Sequence, residues 1–220
     1  MNEASILDWQ ELGIFILRWL HLMVGVAWMG LLYYFNFIQG EYFKEADKYA
    51  LLDVKTKLLP RALWWFRWAA VFTLATGGVL LFGLLQQGLI NSYMVLAASM
   101  GTVMFLNVWL IIWPCQRVVI GEVEGDVASC AQRAALMSRT NTLFSGPMAF
   151  GMLGSAHLGY SQSFLLSGEG ASTGMWLALL LVALLQINGM FGRLGPLTTT
   201  KGVLHSSILL TAVLFSALYF

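Results

Sequence analysis

The stretch Arg18-Trp-Leu-His21-Leu-Met-Val-Gly25-Val-Ala-Trp28-Met-Gly30 opens the first long apolar run of the chain and puts an imidazole inside it. A run able to cross ~30 Å of hydrocarbon reads as a transmembrane helix. A titratable ring there is costly, so it faces a bundle interior and has a partner or a task. On a helix Gly25 lies one turn beyond His21 on the same face, and Trp28 one turn beyond that. The face thus carries a nitrogen able to ligate a metal, followed by a position with no side chain. Such a gap suits a flat cofactor, or equally the close approach of a neighbouring helix.

The same kind of run recurs along the whole chain. Of its 220 residues, 59% are hydrophobic and 10% are charged, against roughly 25% charged in an ordinary soluble domain. The reading is an all-α, polytopic membrane protein, a single domain over residues 1–220, partnered by the lipid bilayer. There is no basic tract to bind nucleic acid. Residues 1–12 carry Glu3, Asp8 and Glu11 without Lys or Arg, unlike the basic start of a signal peptide, so the first span is expected to remain in the mature protein. Cys115 and Cys130 form neither Cys-x-x-Cys nor Cys-x-x-Cys-His, which rules out covalent c-type haem attachment.

A bundle of six spans is expected, at about Gly13 to Ile38, Trp68 to Leu85, Tyr93 to Trp113, Thr142 to Tyr160, Met175 to Gly192 and Val203 to Phe220. Eleven of the twelve basic residues then fall on one side: six between the first and second spans, three between the third and fourth, two between the fifth and sixth. By the positive-inside rule that side is cytoplasmic, and both termini face outward. The segment from Glu41 to Trp65 mixes charged and apolar residues around Pro60, and is expected to lie along the cytoplasmic surface as a helix. Trp64, Trp65 and Trp68 beside Arg61 and Arg67 read as an interfacial anchor. The segment from Gln116 to Arg139 is expected to form a turn and a short surface helix, and the Gly/Ser-rich stretch from Ser161 to Thr173 an outward loop.

Orientation sorts the three histidines by depth. His21 lies about 12 Å below the outer boundary, and His157 about one turn from it. The two fall near one level, where they form a candidate bis-imidazole pair for a b-type haem. Gly25, and Gly154 one turn before His157, would leave room for the macrocycle. Arg18, the one basic residue outside the cytoplasmic set, would reach the propionates. The competing reading is structural: His157 hydrated near the boundary, His21 hydrogen-bonded to another helix, and the glycines present for helix packing. His205, one turn inside the cytoplasmic end, reads as hydrated or hydrogen-bonded. Asn107, Asn141, Gln186 and Asn188 read as interhelical hydrogen-bonding groups, or else as a polar pocket of a small-molecule permease. Pro147 is expected to kink the fourth span, with Ser145 or nearby carbonyls absorbing the freed hydrogen bond. No Ser/His/Asp set, phosphate-cradling glycine loop or intramembrane carboxylate cluster is present.

Five stretches read together resemble a family. They are Arg18-Trp-Leu-His21 with Gly25-Val-Ala-Trp-Met-Gly30; Leu63-Trp-Trp-Phe-Arg67-Trp with Phe72-Thr and Thr76-Gly; Asn107-Val-Trp-Leu-Ile-Ile-Trp-Pro114-x-Gln116-Arg; Ser138-Arg139-x-Asn141-Thr; and the run from Pro147 to His157. Together, over roughly Arg18 to Tyr160, they resemble the membrane-integral N-terminal domain of bacterial urate oxidase (urate hydroxylase). That domain is commonly followed by a cytochrome c domain. The resemblance implies a bacterial inner-membrane, multi-pass oxidoreductase or electron-transfer subunit with haem b at His21 and His157, passing electrons toward a periplasmic cytochrome c. This chain departs from the pattern at Thr140, where the family usually has histidine, and at Thr142 in place of a second asparagine. It also carries no Cys-x-x-Cys-His acceptor. The alternative is a cofactor-free accessory or structural subunit of a larger membrane complex.

Overall fold

In a computed structural model, residues 9–158 and 173–218 are described, and they are helical with no strand. The helices are α1 (Trp9–Glu45), α2 (Lys48–Gln86), α3 (Ser92–Val119), α4 (Val127–His157), α5 (Thr173–Phe191) and α6 (Thr200–Ala217). Five of them, all but α4, are long and apolar enough to cross a membrane. The end of the bundle that gathers the eleven basic residues is called the basic end below.

The physical reason α4 falls short is its position. It packs against α3 and α6 along much of its length, and against α1 and α5 as well. Thr140, Asn141, Thr142 and Ser145 are buried, as are Gly151 and Gly154. A helix covered by other helices has no need of lipid-facing side chains, and small or hydrogen-bonding residues let its neighbours approach.

The expected surface helix does not exist as a separate element. The chain breaks only at Ala46 and Asp47, so the charged segment prolongs α1 and α2 instead. Asp47 caps the start of α2 by accepting from the Tyr49 and Ala50 amides. In the same way the expected short helix before the fourth span is the first part of α4, capped by Asp126. The expected span ends at Tyr160 and Phe220, and the loop expected from Ser161, lie outside the described residues.

Three of the long helices contain a wide π turn, and each has a local cause. The turns at Val54–Leu58 and Val108–Ile112 each end two residues before a proline, Pro60 and Pro114. A proline ring clashes with the carbonyl four residues back, and a widened turn moves that carbonyl aside. The helix therefore continues where a sequence reading places a break. In the third, Tyr34–Gln39, the Asn36 side chain donates to the Leu32 carbonyl at 2.8 Å, taking over an acceptor of the ladder. Pro147 is handled differently. The Leu143 carbonyl that it leaves free accepts from Ser207 Oγ of α6 at 2.9 Å. Ser145, expected in that role, instead donates to the Thr142 carbonyl at 2.7 Å.

Candidate functional site

Two groups of polar side chains lie within the bundle. The first joins α3, α4 and α5. Asn107 Nδ2 donates to Asn141 Oδ1 at 2.8 Å and to Gln186 Oε1 at 2.9 Å, and Gln186 Nε2 donates back to Asn107 Oδ1 at 2.6 Å. Asn141 Nδ2 reaches the Met104 carbonyl at 3.0 Å. Both N–H groups of Asn107 are thereby used, as burial requires. The amides turn to one another, which makes them the interhelical clamp of the two readings. Asn188 is apart from them, and donates at 3.5 Å to the Arg193 carbonyl at the helix end.

The second group is His21 with α2. Its Nδ1 lies 2.9 Å from Thr76 Oγ1. The Thr76 hydroxyl has a single hydrogen, and its shortest acceptor is the Phe72 carbonyl at 2.6 Å. Toward His21 it therefore accepts, which assigns the proton to Nδ1 and leaves Nε2 with a bare lone pair. Gly77 makes the approach feasible, since a Cβ there would stand 2.9 Å from His21 Cε1. A neutral imidazole with Nδ1–H tied down and Nε2 free is the form in which histidine ligates a metal, and the threonine oxygen that accepts from Nδ1 would fix the ring.

The remaining candidates divide around this ring. At Gly25 an added Cβ would meet nothing within 4 Å, so the space one turn below His21 is open. Arg18 is exposed one turn above. Gly154 does not leave room for a macrocycle. A Cβ there would meet Tyr93 Cδ1 and Leu158 Cδ1, each at 3.1 Å, because the Tyr93 ring fills that side. Its role is helix packing. His157 is exposed at the last turn of α4.

The level of the two histidines follows from the α1–α4 register. Tyr33 Oη and Ser145 Oγ are 2.9 Å apart, and Asn36 Nδ2 donates to Ser138 Oγ at 2.8 Å. As α1 advances from Tyr33 to Asn36, α4 goes back from Ser145 to Ser138, so the two helices run antiparallel. His21 precedes Tyr33 by twelve residues and His157 follows Ser145 by twelve, about 18 Å in each case at 1.5 Å per residue. Counted along the two helices, the histidines are equally far from this contact. They are not brought together: no hydrogen bond joins them, His21 leans on α2, and the end of α4 leans on α3, where Asn91 Nδ2 donates to the Ser155 carbonyl at 3.0 Å. Among the described residues no three His, Cys, Asp or Glu gather as a metal site. His205 is exposed near the basic end of α6.

Sequence reading missed Thr76 and Gly77 as the partners of His21. The signal was available as Thr73-x-x-Thr76-Gly77, two hydroxyls on one face next to a position without a side chain. Trp28, named on the His21 face, is 2% exposed, and its indole N–H has no acceptor among the described residues. Comparison with family models, with curated proteins and with solved structures finds no match for this chain, so the likeness to the urate oxidase domain rests on the five stretches quoted above.

Proposed function

We propose that this chain is a six-span, multi-pass protein of a bacterial inner membrane, related to the urate oxidase membrane domain, and that it carries electrons through a haem b held by His21. In this topology α4 is the sixth crossing helix and both termini are periplasmic. The observation that supports the reading is the His21–Thr76 contact: with the Thr76 hydroxyl spent on the Phe72 carbonyl, Nδ1 is the donor and Nε2 is left available, while no side chain fills the space at Gly25 one turn further along α1. A haem bound there would supply a one-electron carrier near the periplasmic face, within reach of a periplasmic cytochrome c. The chain's own part would be to hold the group by the His21 imidazole, to offer Arg18 to its propionates, and to supply a second imidazole, His157, from α4. The departure at Gly154 puts the open side of the site against α1 and α2. Oxidation of urate rests on the resemblance alone.

A reduced-minus-oxidised optical spectrum of protein made with ample haem tests the reading. Soret and alpha-band changes are expected in the wild type, lost in His21→Ala and His157→Ala and kept in His205→Ala. A wild-type protein with no band change ends it. One observation favours the second reading, a cofactor-free subunit of a larger complex: from Trp9 to Ala27 and from Val71 to Gln86 no residue is buried, which leaves a long apolar face for partner helices. Stoichiometric co-purification of other membrane proteins without any chromophore would select it.

A further inference from the structure

At the basic end, α2 and α3 hold an arrangement that neither the proposed haem site nor the amide clamp uses. The Arg67 guanidinium stacks on the Trp113 indole, with Cζ 3.3 Å from the ring centroid, and it lies 5.9 Å from the Trp109 ring. Arg117 stands 5.9 Å from the same Trp113 ring. The wide turn at Val108–Ile112 and the Pro114 that demands it bring both indoles to the α2 side. Two guanidiniums thus share one indole and repel each other, although the Glu122 carboxylate acts on Arg67 more strongly than Arg117 does. The carboxylate nearby is Glu122, whose Oε2 is 3.4 Å from Arg117 Nε. Arg67 Nε donates to the Leu63 carbonyl at 3.2 Å, and its two terminal nitrogens have no acceptor among the described residues. The Trp109 indole N–H is buried and also lacks one. Unused donors, an excess of positive charge and a partly desolvated position together call for an oxyanion.

We infer that this cleft binds the phosphate headgroup of an anionic phospholipid of the cytoplasmic leaflet. The surroundings select the lipid over a dissolved anion. Exposed Trp68 on α2 meets the Trp109 ring edge-on at 6.1 Å and continues into exposed Trp64, and Leu110 next to Trp109 on α3 is exposed as well, so the approach to the cleft is an apolar surface suited to acyl chains. Tryptophan at this level marks the headgroup boundary. The phosphate oxygens accept from the terminal nitrogens of Arg67, from Arg117 and from the Trp109 N–H, and they offset the repulsion between the two cations. Basic clefts between membrane helices on the cytoplasmic side are suited to such headgroups, each cation within reach raising affinity about fivefold.

The test titrates the intact purified protein with phosphatidylglycerol and with phosphatidylcholine, counting bound lipid by native mass spectrometry. The wild type is expected to prefer phosphatidylglycerol by at least about tenfold. Arg117→Gln, an exposed change that leaves the Arg67–Trp113 stack intact, is expected to lower phosphatidylglycerol affinity about fivefold. Arg67→Gln with Arg117→Gln is expected to abolish the preference. Should the double variant be unstable, Arg117→Gln alone decides. Equal binding of the two lipids by the wild type, unchanged affinity in Arg117→Gln, or displacement of the lipid by millimolar inorganic phosphate would each overturn the assignment, the last in favour of a soluble-anion site.

Discussion

The α3–α4–α6 core and the outer arm of the α1–α2 hairpin are both made of apolar helices, yet they are held by different means. In the core, glycines are packing contacts. A Cβ on Gly151 would meet Phe215 Cζ at 2.7 Å, Ala97 Cβ at 2.9 Å and the Tyr93 carbonyl at 3.0 Å. Amides and hydroxyls pin the helices where they cross, as at Asn107–Asn141 and Ser207–Leu143. In the outer arm Gly13, Gly25 and Gly83 face open space, and no side chain from Trp9 to Ala27 is buried. The contact of His21 with Thr76 ties the arm together at mid-length. Hydrophobicity drives no association between helices already in lipid, so close packing and hydrogen bonds decide where they lock. The core is locked, whereas the arm presents a ligand-capable ring on an unfilled face.

Four substitutions bear on this contrast. The largest effect is expected at Gly151→Leu. Its new atoms meet a ring, a methyl and a backbone carbonyl that cannot all yield, and destabilisation of about 3 kcal/mol is expected. Reversible unfolding in detergent measures it, with Gly25→Ala as the arm's counterpart expected to stay within about 0.5 kcal/mol of wild type. Equal losses at the two glycines would erase the distinction between the regions. Next is Asn141→Leu, which strips Asn107 and the Met104 carbonyl of a buried partner at a cost of about 2 kcal/mol, read by the same unfolding transition. A loss below about 0.5 kcal/mol would mean that the clamp finds other partners. The smallest is Thr76→Val, of similar shape but unable to accept from His21, with about 1 kcal/mol expected. Its sharper readout is nitrogen-15 NMR of the imidazole: the wild type is expected to hold its proton on Nδ1, and the variant to lose that preference. A wild-type ring protonated on Nε2 would remove the basis for axial ligation.

Much of the helical layout was legible before any coordinates. Apolar runs bounded by Asn91 and by Thr199 begin helices where those side chains cap them. The boundaries misread were those beside Pro60 and before Arg139. There a polar or proline-containing segment reads as a break, while the backbone continues through a wide turn in one case and from an aspartate cap in the other. At the candidate site, His21 stood out because an imidazole in an apolar run is conspicuous. Thr76 did not, since a threonine in a span is as a rule bonded to its own helix, as Thr76 also is to Phe72. Gly154 was misread for the reciprocal reason: a glycine marks a gap, and only the neighbour that fills it tells packing from a cofactor berth.

Composition and run length by themselves determined that the chain is helical with spans fit for a bilayer, because unpaired backbone groups cannot sit in hydrocarbon and a helix satisfies them within one segment. The distribution of Lys and Arg set the expected orientation for a similarly local reason. Tertiary structure alone decided which polar residues clamp and which remain free. The contacts that join one helix to the next have partners far off in sequence, 55 residues away for His21 and Thr76 and 112 for Tyr33 and Ser145. No local pattern encodes a pairing that exists only once the helices have packed.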